Sequence, residues 1–161
     1  MSRRSFRKKE LYISDPIYQS VLVHMFVTRI MRNGKKFLAY CILYSSFRRI
    51  QEKVHRDPLS IMEHAIRLVI PTVQLKSRRV GGATYQVPIE VSLRRGISIA
   101  VRWIFIASYS RPGRNIDNRL SIEILDAACS IGNAVRKREE IYRIAEANKA
   151  FTRYRFLQFF Y

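Results

Sequence analysis

The chain has 161 residues, 48% of them hydrophobic, and carries 30 Lys+Arg against 12 Asp+Glu for a net charge of +18. So large an imbalance calls for a polyanionic partner, while the apolar content excludes a disordered basic tail and suffices for one domain with a core. The most apolar runs, residues 101–109 and 21–27, are interrupted by Arg102 and His24 and fall short of the roughly 18 to 20 residues that span a bilayer, so a soluble protein is expected.

Residues 1–13 form a basic arm, with Arg3, Arg4, Arg7, Lys8 and Lys9 crowded together and no hydrophobic periodicity. The arm also lacks the apolar core of a secretory signal and is short for an organellar transit peptide. Ser14, Asp15 and Pro16 predict a helix start, with Asp15 as cap and Pro16 in the first position. Apolar rows over residues 17–32 give that helix a wide buried face, and Asn33 and Gly34 end it. A second helix is predicted over residues 35–54, with Leu38, Cys41, Ile42 and Ile50 inward. Cys41 is therefore expected to be a reduced core thiol, and two cysteines in all argue against a disulfide framework. A third helix over 58–70 turns Met62, Ala65, Ile66 and Val69 inward and stops at Pro71.

Residues 73–80 and 84–91 then alternate at period two, Val73 and Leu75 on one arm and Tyr85, Val87, Ile89 and Val91 on the other. They meet at Gly81 and Gly82, which predicts a hairpin about 25 Å long whose base leans on the helices while its tip projects. Lys76, Arg78 and Arg79 line one arm. A fourth helix over 94–109 turns Ala100, Trp103, Ile104 and Ala107 inward, and the loop RPGRN, residues 111–115, follows. A fifth helix is expected over 120–131 with Leu120, Ile124, Ala127 and Ala128 buried. A sixth, over 134–150, buries Ile141, Ile144, Ala145 and Asn148. The expected fold is mainly α: a single six-helix domain with an extended β-hairpin inserted between helices three and four.

No catalytic constellation stands out. His24, His55 and His64 lack the spacing of a metal site, and Gly81-Gly82 lies between two strands rather than between a strand and a helix, so it is not a nucleotide loop. Residues 33–36, Asn-Gly-Lys-Lys, lack the other elements of a phosphate loop. Glu139 and Glu140 follow Arg136, Lys137 and Arg138 and stand at helical spacing from Arg143, the pattern of intrahelical pairs. No cofactor and no metal is expected.

The basic residues carry the signal instead. Besides the arm they comprise Lys35 and Lys36; Lys76, Arg78 and Arg79; Arg94, Arg95 and Arg102; Arg111 and Arg114; and Arg136, Lys137, Arg138, Arg143, Lys149, Arg153 and Arg155. Arginine predominates, and its planar fork binds phosphate bidentately and stacks on bases. The absence of a helix-turn-helix, zinc-finger or zipper signature favours folded RNA over DNA. Tyr85 near the hairpin tip and Tyr154 have either base stacking or packing against the protein open to them. A basic RNA-processing protein and a DNA- or membrane-binding protein are the alternatives, and no group suited to turnover supports the first.

Seven segments resemble the family of the seventh protein of the small ribosomal subunit: SDPIY (14–18), NGKK (33–36), KSRRVGGATYQVPIEV (76–91), VRWI (101–104), DAA (126–128), RKREE (136–140) and AEANKAF (145–151). MSRR at the start and RPGRN before the fifth helix resemble plastid members. The resemblance implies a non-catalytic, six-helix structural protein that binds the 3′ major domain of small-subunit ribosomal RNA and nucleates assembly of the head, beside neighbouring ribosomal proteins. It further implies that the hairpin tip, with Arg79, Gly81, Gly82 and Tyr85, lies near exit-site tRNA and mRNA. The compartment it implies is the plastid stroma, with bacterial cytoplasm or mitochondrial matrix as alternatives. Thr152 and Arg153 and the ending FLQFFY depart from bacterial members, and that aromatic ending is expected to pack against a neighbouring molecule.

Overall fold

The computed structural model describes residues 14–80 and 82–155, without the side chains of residues 80 and 153–155. Six α-helices, α1 (Val21–Ile30), α2 (Lys36–Val54), α3 (Pro58–Val69), α4 (Leu93–Ser110), α5 (Ile116–Ala128) and α6 (Asn133–Ala147), are followed by a 3-10 turn, Lys149–Arg155. The strands β1 (Val73–Val80) and β2 (Ala83–Glu90) form an antiparallel hairpin between α3 and α4, as the alternating pattern predicts.

Helix α5 is the central post, in contact with α2, α3, α4 and α6. Its Leu120, Ile124 and Ala127 are fully buried and meet a core built from Val23, Phe26 and Val27 of α1, Leu43, Phe47 and Ile50 of α2, Met62, Ala65 and Ile66 of α3, and Ala100 and Ile104 of α4. The α3 face is the one read from its spacing. Asp57 caps this helix by accepting from the amides of Leu59 and Ser60, with Pro58 in the first turn.

Several expectations are corrected. The first helix begins at Val21, not at Pro16, because the Asp15 carboxylate accepts from the amides of Ile17 (3.2 Å) and Tyr18 (3.0 Å) and closes a local turn. Gln19 at φ +50° then reverses the chain before the helix can start. Helix α2 buries Ala39, Leu43, Ser46, Phe47 and Ile50, whereas Leu38 is 55% exposed and Cys41 is exposed. Apolar residues occur around much of α2, so periodicity did not select a face. The contact with α5 does, because the Ser46 hydroxyl donates to the Asp117 carbonyl oxygen (3.0 Å) only in this rotation. Helix α5 starts four residues before its predicted start and ends at Ala128, where Ser130 at φ +62° turns the chain and the Ile131 amide donates to the Asp126 carbonyl. Only Ala134 and Val135 of α6 are fully buried; Ile144, expected inward, is 41% exposed, because α6 enters the core only at its start and also packs on the hairpin and the 3-10 turn. Trp103 is half-buried at the edge of the core.

The hairpin is docked further along its length than its pattern suggests. Gly82, at φ +90°, occupies the two-residue turn that the register Val80↔Ala83 requires. Directly opposed residues share a face, so Val87 lies beside Lys76, and Tyr85 beside Arg78, on one side. The apolar residues of the two arms thus lie on opposite faces: Leu75 opposes Pro88 on the other side. Val87 is fully buried, and the Tyr85 ring packs on Phe151 of the 3-10 turn at a centroid separation of 4.8 Å. At the base, the Tyr142 hydroxyl of α6 accepts from the Thr72 amide at 3.0 Å.

Ile124→Ala, at the centre of the post, should lower the unfolding free energy by about 2 to 5 kcal/mol in urea titrations, whereas Leu38→Ala should change it by less than about 0.5 kcal/mol. A large loss at Leu38 would show that α2 is rotated as its periodicity suggested.

Candidate nucleic-acid interface

Three carboxylates, Asp15, Asp117 and Glu123, are engaged within the fold, while Glu52, Asp57, Glu90, Glu139, Glu140 and Glu146 remain exposed. Asp15 accepts the Tyr44 hydroxyl (2.8 Å) as well as its own turn amides. Burial, reinforced by that carboxylate, pushes the Tyr44 hydroxyl above its ordinary range. Asp117 accepts from the Ser45 hydroxyl (2.8 Å) and the Arg49 guanidinium (2.9 Å). Burial alone would raise its carboxyl, but these two bonds and the Asn118 amide outweigh burial and hold it below 3.8, its ordinary value. Glu123 has no exposed surface; it accepts from Arg111 and, at 2.9 Å, from the Ala134 amide at the start of α6. Gly132 makes room for that carboxylate, since a Cβ there would lie 2.8 Å from its oxygen.

This arrangement corrects the reading of Arg111 as a phosphate ligand. Its side chain is only 18% exposed, with Nε paired to Glu123 and Nη2 to Asp126, so it ties the start of the 111–115 loop to α5. Arg138 is likewise turned inward: it donates to the Leu68 carbonyl at the end of α3 and lies over the Tyr142 ring. Arg78 is half-buried on the docked face of the hairpin, with Nε unpartnered. Tyr85, for which stacking on a base and packing on the protein were both open, packs on Phe151.

The remaining cations stay outside. Lys35, Lys36, Lys76, Arg79, Arg94, Arg95, Arg102, Arg114, Arg136, Lys137, Arg143 and Lys149 are all exposed. Lys76, Arg79, Arg95, Arg102, Arg114 and Arg136 have no ion-pair partner among the described residues. Lys137 pairs with Glu140 at 2.8 Å, an exposed contact of little energetic weight, and holds that carboxyl below its usual range. Arg3, Arg4, Arg7, Lys8, Lys9 and Gly81, and the side chains of Arg153, Tyr154 and Arg155, lie outside the described residues, as does the aromatic ending.

Helix α4 joins clusters that are separate in the sequence. Near its start Arg95 shares a concavity with Lys76 of β1, and toward its end Arg102 shares a groove with Lys137 of α6. Arg95 and Arg102 stand seven residues apart, two turns on one side of the helix, about 10 Å along its axis. The fold also assembles a cationic site that cluster counting missed. The guanidiniums of Arg32 and Arg119 lie 4.9 and 5.6 Å from the centre of the Tyr109 ring, and Arg32 and Lys35 line the same hollow. Arg32 and Arg119 are isolated in the sequence, and the ring that gathers them, Tyr109, lies in the last turn of α4.

Among the described residues no group of three or more His, Cys, Asp or Glu converges as a metal site would, and no helix is long and apolar enough to cross a membrane. Residues 2–149 match the family described as Ribosomal protein S7p/S5e. The chain belongs to that family. Membership in ribosomal protein S7p/S5e gives a structural, non-enzymatic role in the small ribosomal subunit, with ribosomal RNA and neighbouring ribosomal proteins as partners. Lys76, Arg79, Arg95, Arg102, Arg114 and Arg136 of this S7p/S5e chain are of the kind that contact phosphate, because they are charged, solvated and without an ion-pair partner among the described residues.

Arg111→Ala should destabilise the protein by about 3 to 5 kcal/mol, since it strands Glu123 without its cation, while Arg114→Ala leaves the melting point unchanged. Equal melting points for the two variants would show that the Arg111 pair is not structural. Asp117, whose carboxyl is depressed in the folded protein, stabilises the fold fully above its unfolded value of 3.8, and that contribution disappears as pH falls through the lower folded value. Asp117→Asn should therefore flatten the acid limb of the stability-pH curve below pH 3.8.

Proposed function

We propose that this protein is a primary RNA-binding component of the small subunit that attaches to the 3′ major domain of the ribosomal RNA and nucleates assembly of the head. The observation that carries this reading is the exposed, unpaired pair Arg95 and Arg102 along α4, with Lys76 of β1 beside Arg95, in a chain matching the S7p/S5e family. Phosphate contacts of this kind fix register on a folded RNA without reading bases. By their charge, Arg3, Arg4, Arg7, Lys8 and Lys9 of the N-terminal arm, Lys35, Lys36, Arg114, Arg136, Arg143 and Lys149, and Arg153 and Arg155 are further candidates for phosphate contact.

The hairpin has a second task in this reading. Its outward face near the turn carries Ser77, Arg79, Thr84 and Gln86, all exposed and polar, suited to a transient RNA such as exit-site tRNA or outgoing mRNA. Its opposite face is occupied by the protein's own α6 and 3-10 turn, which hold the probe in a fixed direction. The segments MSRR and RPGRN favour a plastid ribosome as the setting.

The full-length protein should bind a transcript of its 3′ major domain more tightly than an unrelated structured RNA at moderate salt; equal binding would refute the assignment. With roughly ten phosphate contacts, log affinity should fall against log salt with a slope of about −7 to −9, and the double variant Arg95→Ala, Arg102→Ala should flatten that slope by about two at an unchanged melting point. Arg79→Ala should retain domain binding and weaken tRNA contact in assembled subunits.

A further inference from the structure

The groove between the second half of α4 and the first turn of α6 differs chemically from the rest of the cationic surface. It encloses about 290 Å³ and is lined by Trp103, Ile106 and Ala107 together with Arg102, Ser110, Asn133 and Lys137. Trp103 is the sole tryptophan of the chain, and one side of it packs on the core while the rest lines the groove. Ile106 beside it is 52% exposed. The core face of α4 is already filled by Ala100, Val101, Ile104 and Phe105, so the outer part of the indole and the exposed Ile106 are left facing the groove. The Ser110 hydroxyl is turned back to the Ala107 carbonyl (2.8 Å), so it does not polarise the groove.

We infer that this groove is a stacking site for an unpaired nucleotide of ribosomal RNA, its base lying against Trp103 and its phosphate held by Arg102 and Lys137. Sequence-specific RNA recognition uses bases splayed out of loops and bulges and stacked on aromatic side chains, with arginine and lysine on the flanking phosphate. The groove brings these groups together: an aromatic surface, two exposed cations on opposite walls, and the exposed Asn133 amide, which offers both a donor and an acceptor to a base edge. Among the described residues the carboxylate paired at its rim is Glu140, on the exposed Lys137, and a phosphate competes readily for a cation held in so weak a pair. A neighbouring protein docking by apolar contact is less suited to a groove walled by Arg102 and Lys137 in a chain of net charge +18. The contact would make one bulged or looped base, and not only RNA shape, a determinant of binding.

This inference rests on the RNA-binding reading, and the single tryptophan separates the two. Emission from Trp103 in the full-length protein is followed while the 3′ major domain transcript is added, with heparin as a polyanion that has no bases. Quenching by the RNA and not by heparin is expected. Trp103→Phe, which keeps an aromatic face, should bind within a few-fold of the parent, while Trp103→Leu, which keeps apolar volume only, should lose between roughly fivefold and 150-fold in affinity. Melting curves of both variants establish that each is folded, and the fluorescence of the unaltered protein stands whether or not they are. If the transcript binds without changing the emission, if heparin quenches equally, or if the Leu variant binds like the parent, the stacking site does not exist. A change in emission that appears only on adding neighbouring subunit proteins would overturn it in favour of a protein contact. Failure of the transcript to bind the unaltered protein would instead remove the functional reading itself.

Discussion

The engagement of three acids inside the fold, Asp15, Asp117 and Glu123, is the constraint on which its helices and loops depend. Each stands where a buried polar atom or a loop needs an anchor, while other acids such as Glu52, Glu139 and Glu146 stay exposed. Glu123 joins Arg111 to the start of α6, Asp117 joins α2 to α5, and Asp15 ties the segment before α1 to Tyr44. Glu123 and Asp117 each pair with an arginine inside the fold, and Asp15 accepts from neutral donors, so none of the three opposes the outer cations. A surface of like charges is a standing repulsion in the isolated chain, and it is relieved when counterions on RNA are exchanged for lysine and arginine. The same distribution therefore limits the stability of the free protein and drives its association.

Helix α4 illustrates how one element serves both ends. Its inner face, Ala100, Ile104 and Ala107, is small enough to let α5 approach closely. Its outer side carries Arg95 and Arg102 at a two-turn spacing, next to cations supplied by β1 and α6. The hairpin, which two strands could not stabilise alone in water, is held by Val87 and Tyr85 against α6 and the 3-10 turn, so its polar outer face is presented rigidly. Rigidity matters for a probe that must meet a transient RNA, since ordering it at the moment of contact would cost conformational entropy.

Much of this organisation was readable in advance. The α3 face followed from strict i, i+3, i+4, i+7 spacing, and the hairpin followed from two alternating runs about a glycine pair. Faces were misread where apolar residues surround the helix, as on α2, because a 3.6-residue period cannot choose among several apolar rows until a neighbour packs against one. The start of α1 was misread because Asp15 satisfies local amides equally well in a turn as in a cap, and Tyr44, 29 residues away, favours the turn. Arg111 and Arg114 look alike in RPGRN, yet one is an internal anchor and the other is exposed.

Charge, apolar content, the order of helices and hairpin, and the family segments are properties of composition and local spacing, so the chain by itself determined a helical, polyanion-binding domain and its place in the small ribosomal subunit. Which cations are free was decided only by tertiary structure, because pairing depends on carboxylates distant in the chain. Tertiary structure likewise set Trp103 at the edge of a groove instead of in the core, and gathered Arg32 and Arg119 around Tyr109 from segments with no local relation. Periodicity reports which way a side chain points from its own helix axis; only the packing of other helices decides what it meets there.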